Sequence, residues 1–548
     1  MKFLTTLLIC CFQLTLFAQF NVGDVAMNFG SEITAEDGEI VHIAGESDNI
    51  TYALAKKNKN YYIQTFQAAN QDFITDKEIE LEKIGKNKVT LEDLSVVNGS
   101  VYVFASYYDK SNKQQKFVAY PVASNLTLGA PKTVLTAKVE KKKQPGGFIF
   151  KPSYNDEHYM VTYINFYNKE ETMTYEFTLL DGDLNSVKND KVTLTFEDKK
   201  DLHFSLDDIT VNRNGDIFIV VSDSYRDKKK KTTFTNLELH AYYAANNHEK
   251  EVLSVDFNGK KVVNCNAMYT TDGTLQLIGF YSDLRKSGRS DWRIEGIFNV
   301  TVNTNDNSVS KEVFNEFTFE TKKKLIGERR AKKGKDLLPH YRNTHFIERD
   351  NGGVIVLSEY YLTVVGSTSG IGPLAFTPIT YITNEIIVTA LDAEGNLDWS
   401  NVVPKEQQVT VTQFSLGFIG IVGNGNFAVG AGAFFPIAIL GEGPEYLSSI
   451  PMYDTGKLSL LVNDDPKNIG ITAIDDVKKV RNIKKMIPVL FSFDDTTGKM
   501  TREDPEEFEK KQLVVRPYVN YRVGQKQYII YASNKEGKHL GLLSADIK

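Results

Sequence analysis

Cysteine is scarce, with three in 548 residues, and two of them, Cys10 and Cys11, lie in the first apolar run. Beyond that run Cys265 stands alone, so the remaining chain has no intramolecular disulfide and must hold together by packing. In Val263-Asn264-Cys265-Asn266-Ala267 the alternation turns Cys265 inward as a small buried apolar residue. Strong charge is missing as well. The formal net charge is −6 at pH 7, and it becomes one unit more negative if Lys2 is removed. A dedicated nucleic-acid binder shows a basic excess, and none is present. Catalytic and cofactor motifs are also lacking. No His-Glu-x-x-His, Gly-x-Ser-x-Gly elbow or Walker-type loop occurs, and no cysteine pair joins the eight histidines in a zinc site. Asp181-Gly182-Asp183-Leu184-Asn185 begins like a calcium loop. It then places Ser186 where glycine is needed and Val192 where a bidentate glutamate is needed, so it reads as a hairpin turn. The expectation is therefore no cofactor, no metal and no nucleic-acid partner.

No apolar run is long enough to span a membrane. Phe3–Phe17 follows a single basic residue, lacks charge, and ends at Ala18-Gln19 before polar sequence. That is the layout of a secretion signal, residues 1–19, and it is shorter than the roughly 20 residues a spanning helix needs. Export to a periplasm, an outer membrane or the medium follows as an expectation. Helical periodicity is scarce, and so are Pro/Gly/Ser linkers.

What is present is alternation. Short runs of Val, Ile, Tyr, Phe and Thr are punctuated by Gly, Asn, Asp and Lys, which is strand and hairpin chemistry. One unit recurs, a turn followed by an apolar strand with a polar end. Asn98-Gly99 precedes VYVFASYYD, Asn155-Asp156 precedes HYMVTYINFYN, Asn214-Gly215 precedes IFIVVSDSY, and Asp272-Gly273 precedes LQLIGFYSD. The steps are 57, 59 and 58 residues. Asn351-Gly352 follows after 79, the excess matching a polar insertion at Lys322–Leu338. Thr455-Gly456 and Gly524 continue the series, and Ile50–Lys56 is a degenerate first copy. Around the second copy, Val89–Val97, Lys116–Val122 and Lys132–Val139 supply partner strands. Four strands in each unit of about 55–60 residues make β-propeller blades. The fold class is all-β, a single β-propeller over residues 20–548 with four-stranded blades. Eight blades are favoured and seven come next, with tandem β-sandwiches as the competing architecture. The last copy has three clear strands in 511–546, and a strand near Val22–Thr34 completes it, so the termini close the last blade. Insertions are expected near 322–338, 366–378 and 423–453.

The stretches NEFTFE, NGGVIVLSEYY, NEIIVTALDAEGNLDWSNVVPKEQ and KLSLLVNDDPKN, between Phe314 and Asn468, resemble an uncharacterised group of large secreted β-rich proteins from Bacteroidetes. The signal ending in Ala18-Gln19 resembles signals common there. The resemblance implies export, and it brings no activity and no functional residues.

Two features are candidate contact surfaces. Second strands end repeatedly in hydroxyl, ring and carboxylate groups: Tyr107 and Asp109, Asp223 and Tyr225, Tyr281 and Asp283, Glu359 and Tyr360, and Asp464. Loops after second strands gather on one face of a propeller, so these groups form a candidate binding face for an unknown protein or glycan. Tyrosine offers a flat apolar surface plus a hydroxyl. The second feature is Gln413–Gly441, 29 residues without a formal charge. It reads either as extra strands packed on the ring or as an apolar contact through Phe434, Phe435, Ile437 and Leu440, which would allow peripheral membrane contact. Three functions follow: a non-catalytic binding protein of the envelope or extracellular space, a glycan- or peptide-acting hydrolase with carboxylates on the ring axis, or a structural envelope component docked by the apolar insertion.

Overall fold

A computed structural model describes residues 19–547, apart from 141–145, 168–171, 196–199, 228, 258, 290–291, 368–376, 414–422, 425–426, 430–434, 436, 481, 506–512 and 535–538. Three short strands, β1 (Gln19–Val22), β2 (Val25–Phe29) and β3 (Ile33–Thr34), precede the first blade. Blade 1 is β4 (Glu39–Ser47), β5 (Ile50–Lys57), β6 (Asn60–Gln67) and β7 (Phe73–Glu78). Blade 2 is β8 (Thr90–Val97), β9 (Ser100–Asp109), β10 (Gln114–Pro121) and β11 (Lys132–Lys138). Blade 3 is β12 (Gly147–Pro152), β13 (Tyr159–Tyr167), β14 (Thr172–Leu180) and β15 (Ser186–Thr195). Blade 4 is β16 (Lys200–Val211), β17 (Ile217–Asp227), β18 (Thr232–Tyr242) and β19 (Lys250–Val255). Blade 5 is β20 (Lys261–Tyr269), β21 (Leu275–Ser282), β22 (Gly296–Asn303) and β23 (Ser308–Glu316), followed by helices α1 (Phe319–Ile326) and α2 (Glu328–Ala331). Blade 6 is β24 (Tyr341–Glu348), β25 (Val354–Val365), β26 (Thr377–Leu391) and β27 (Leu397–Gln413). A small hairpin, β28 (Gly423–Asn424) and β29 (Phe427–Val429), leads to blade 7, which is β30 (Ser449–Asp454), β31 (Lys457–Asp464), β32 (Ile487–Asp494) and β33 (Met500–Glu503). Blade 8 takes β34 (Leu513–Arg522), β35 (Gln527–Asn534) and β36 (His539–Ile547) from the end of the chain.

The eight sheets make an eight-bladed β-propeller. Its blade 8 is completed by β2, which runs antiparallel to β36 with Val25 opposite Ile547 and Phe29 opposite Leu543. Closure by a strand from the other end of the chain covers the edge of β36 that would otherwise invite pairing with a second molecule. β1 begins at Gln19 and pairs with β2 alone, so the closing strand itself lies wholly beyond the expected signal.

The turns explain the regular step. Each joins the first and second strands of a blade, and all but the Gly524 turn of blade 8 hold backbone at positive φ, as at Asn98 (46°) with Gly99 (75°) and at Thr455 (46°) with Gly456 (72°). Asn and Gly reach that region at low cost, which matches the twist of a tight hairpin. Between blades the core is apolar. Phe104 and Phe117 of blade 2 meet Tyr159 and Tyr163 of blade 3, and the Phe104 and Tyr159 rings stack at 4.1 Å. Equivalent clusters lie at the other junctions, the last joining Val519, Ile529 and Tyr531 of blade 8 to Ile40, Ile43 and Ala53 of blade 1. Burying each such side chain stabilises by about 1.5–3 kcal/mol, so the ring has no need of a disulfide. Cys265 is fully buried in the cluster between blades 4 and 5.

Insertions sit between blades. α1 and α2 occupy the link between blades 5 and 6, where the polar excess was expected. Residues 449–453, expected inside the last insertion, belong instead to β30 of blade 7, because their apolar side chains fill the ring core. β25, β26 and β27 are 12, 15 and 17 residues long, so blade 6 projects past its neighbours.

Candidate functional site

In an antiparallel four-stranded blade the loops after the second and fourth strands share one end. Seven of the nine candidate face residues lie toward the far end of a second strand or just beyond it, on that loop-rich side, while Glu359 and Tyr360 lie midway along β25. Each is taken up by its own blade or a neighbouring link. Asp109 closes its own turn, accepting from the Ser111 N–H at 3.0 Å and the Asn112 side chain at 2.8 Å. Asp464 accepts from Asn468 at 2.7 Å and Arg502 at 2.9 Å. Glu359 is buried against Lys405, which also donates to Gln407 at 3.1 Å. Asp223 accepts from Asn236 at 3.1 Å. Tyr107 is buried in the core, Tyr225 stacks on Phe234 at 5.8 Å, and Tyr360 packs edge-on against Tyr341 at 5.6 Å. Tyr281 is buried beneath the Lys260 ammonium, 4.7 Å from its ring centroid, while Asp283 pairs with Lys260 at 2.5 Å and turns its own N–H to Glu295. Burial, and then the neighbouring Asp283, pushes the Glu295 carboxyl up to about 7. These residues therefore do not converge on one pocket.

The apolar insertion is corrected more sharply. Phe434 lies outside the described residues. Phe435 and Leu440 are each 2 % exposed, so they are core residues and not a contact surface. Phe435 packs against Tyr361 and Tyr381 of the projecting blade 6 and against Tyr518 of blade 8, at 6.0, 5.1 and 4.7 Å between ring centroids. Ile437, Ile439 and Leu440 join the same cluster with Val41 and Val96 of blades 1 and 2. Upstream, β29 adds in parallel to the free edge of β16, Phe427 opposite Phe204. Phe435, Ile439 and Leu440 thus pack into the ring because their apolar side chains are buried there.

Charged groups on the innermost strands are what the sequence reading missed. Five of these strands carry a β-bulge at matching places: between Ile40 and His42, Leu91 and Asp93, Leu206 and Asp208, Val262 and Asn264, and Asn343 and His345. A bulge re-aims the side chains beside it. Here they form a polar belt from blade to blade. His42 lies 3.5 Å from Asp93, which accepts from the Tyr159 hydroxyl at 2.7 Å. Lys151 reaches Asp208 at 3.4 Å, and Asp208 accepts from the Ala267 N–H at 3.1 Å. Asn264 donates to the Tyr341 carbonyl at 3.2 Å. Burial pushes Asp207 up to about 7, against the hydrogen bond from Ser222. The signal was available as Leu91-Glu92-Asp93-Leu94 and Leu206-Asp207-Asp208-Ile209, two repeats apart.

A cleft with a volume of about 670 Å³ opens on the loop-rich face. Its walls are Glu36, Gly38 and Glu39 from the start of blade 1, Lys56, Lys57 and Asn58 from the end of β5, and Leu440, Gly441 and Glu442 from the insertion. The insertion wall is pinned by Lys56, which donates to the Ala438 carbonyl at 3.0 Å and the Leu440 carbonyl at 3.4 Å. Buried Glu445 braces it from behind, accepting from the N–H groups of Gly441 and Gly443 at 3.1 and 2.9 Å. Gly441 sits at φ 89°, and a Cβ there would come within 3.2 Å of the Glu39 carboxylate. The cleft is therefore at a second-strand end, the expected kind of place, in the degenerate first copy. Among the described residues no group of three or more His, Cys, Asp or Glu could hold a metal ion, and no helix is long and apolar enough to cross a membrane.

No protein-family model matches the chain, and no curated protein matches it. Solved structures do. The Dos1 propeller is 9% identical over 94% of this chain and 95% of that one, with a TM-score of 0.37. Polysaccharide lyase Uly1 is 9% identical over 95% and 99%, with a TM-score of 0.34. A puromycin hydrolase is 9% identical over 92% and 60%, with a TM-score of 0.33. The likeness is loose, and the propeller assignment rests on the chain's own eight sheets.

Proposed function

We propose that this chain is an exported, non-catalytic binding protein of the cell envelope or extracellular space, and that it holds its ligand in the cleft between blade 1 and the insertion. The observation that carries this reading is a contrast on one face. The carboxylates at the ends of the second strands in blades 2, 4, 5 and 7 are engaged by their own surroundings. The cleft instead presents charged side chains around an open volume of the size that ligand sites have. A peptide or protein ligand suits it better than a glycan, since among the described residues no aromatic ring lines the cleft to stack against a sugar. Export is supported by the layout of residues 1–19, which reads as an address.

The test is a binding screen of the chain lacking residues 1–19 against envelope proteins, peptides and glycans. Saturable binding that Glu442→Lys abolishes is expected. Turnover of a small substrate by the purified chain, with no saturable ligand at the cleft, would replace this reading with the hydrolase.

A further inference from the structure

The cleft mixes charges in a way that narrows its ligand. Glu36 and Glu442 stand at its walls, and neither meets a cation among the described residues. Among the described residues Glu39 has only the distant Arg516, 4.0 Å away. Arg516 lies behind the Glu39 wall on a four-residue bulge of the innermost strand β34, where pairing with β35 is interrupted between Val515 and Asn520. It is 1 % exposed, and its guanidinium sits between the rings of Tyr531 and Tyr446, at 4.1 and 4.8 Å. Among the described residues its Nε and Nη1 have no hydrogen-bond partner. A buried donor without its bond is costly, so the region behind Glu39 is a polar one. Lys57 adds a positive charge at the rim. Three carboxylates and the Lys57 ammonium around one open volume fit a ligand that carries both signs.

We propose that the cleft binds a small zwitterion, a free amino acid or a short unblocked peptide. Its ammonium group lies among Glu36, Glu39 and Glu442, and its carboxylate turns toward Lys57. This rests on the cleft being the ligand site. A sugar would leave the separated charges unmatched, and a purely cationic or anionic ligand would satisfy one set and repel the other.

Blocking one terminus at a time tests the idea. Triglycine, N-acetyltriglycine and triglycine amide are compared by calorimetry on the chain lacking residues 1–19, at low salt. Triglycine is expected to bind, with each blocked form at least tenfold weaker. Glu442→Gln and Glu36→Gln, both exposed and outside the core, should each weaken triglycine about tenfold with an unchanged melting temperature. Equal affinity for blocked and free forms would overturn the zwitterion. So would a lack of binding by free amino acids and peptides while a glycan or protein binds in a manner that Glu442→Gln abolishes; that outcome keeps the cleft as the site. Any ligand whose affinity is unchanged in Glu442→Gln would instead remove the cleft from the functional reading.

Discussion

Asp207 should make the ring less stable as the pH rises. Its side chain sits on the bulge of β16, 4 % exposed, and burial pushes it from 3.8 up to about 7, against the hydroxyl of Ser222 at 2.5 Å. In the unfolded chain the carboxyl loses its proton near 3.8; in the folded chain it keeps it until about 7. Between those values the folded state binds a proton that the unfolded state has released, so raising the pH favours unfolding. Each tenfold difference in proton affinity between the two states is worth about 1.4 kcal/mol, so the full penalty approaches ~4 kcal/mol above pH 7. It falls to about 1 kcal/mol at pH 4.5 and vanishes below the unfolded value.

Asp207→Asn removes the ionisation and keeps an oxygen for Ser222. The variant should be more stable than the parent by up to ~4 kcal/mol at pH 8 and by only about 1 kcal/mol at pH 4.5. Urea unfolding followed by circular dichroism at several pH values measures that gap. Comparing two chains at each pH cancels the other titrating groups, including Glu92, which burial also pushes up to about 7. A gap of the same size at pH 4.5 and 8, or one that widens toward acid, would refute the assignment of a buried, proton-holding carboxyl.

Phe435→Ala should cost about 3–5 kcal/mol, because the ring packs against three tyrosines. A melting temperature equal to that of the parent would return Phe435 to the surface. Glu359→Gln should cost about 3–5 kcal/mol by leaving Lys405 buried without its counter-charge, while Glu359→Leu with Lys405→Met recovers most of the loss; equal losses in the single and double variants would show that the pair is not what matters. Removing residues 19–29 takes away the strand that covers β36, and self-association seen by light scattering is expected. A monodisperse monomer after that deletion would deny β2 its closing role.

The ring was legible because its hairpin turns need positive φ and so draw Asn, Asp and Gly at a fixed step. The closing strand was legible because the last copy is one strand short. Lys322–Leu338 declared itself as polar excess. The insertion did not: Gln413–Gly441 is uncharged, and an uncharged segment reads alike whether it is packed or exposed. The candidate face was half legible. Tyr, Ser and Asp at strand ends equally serve turns and blade contacts, and partners such as Lys405 and Arg502 lie too far along the chain to be matched to Glu359 and Asp464 by pattern. The belt was overlooked because a bulge breaks alternation at the very residues it re-aims, and the cleft because its walls come from residues 36–58 and 440–442.

That distance along the chain points to what the insertion does for the ring. Blades 8 and 1 meet where the chain closes on itself, and the short stretch from β3, paired with β36, to β4 is the backbone link across that seam. The insertion crosses it. Phe435 donates its N–H to the Tyr518 hydroxyl of blade 8 at 3.1 Å, and Lys56 of blade 1 holds the carbonyls of Ala438 and Leu440. Loops that only decorate a fold tolerate exposure; this one buries apolar side chains against blades 1, 2, 6 and 8. The cleft opens between the insertion and blade 1, so a ligand there would touch both sides of the brace. Binding to the folded state alone stabilises it in proportion to the logarithm of ligand concentration over Kd. A cleft ligand should therefore raise the temperature at which blades 8 and 1 separate, while a ligand held elsewhere on the ring would leave that seam to open first.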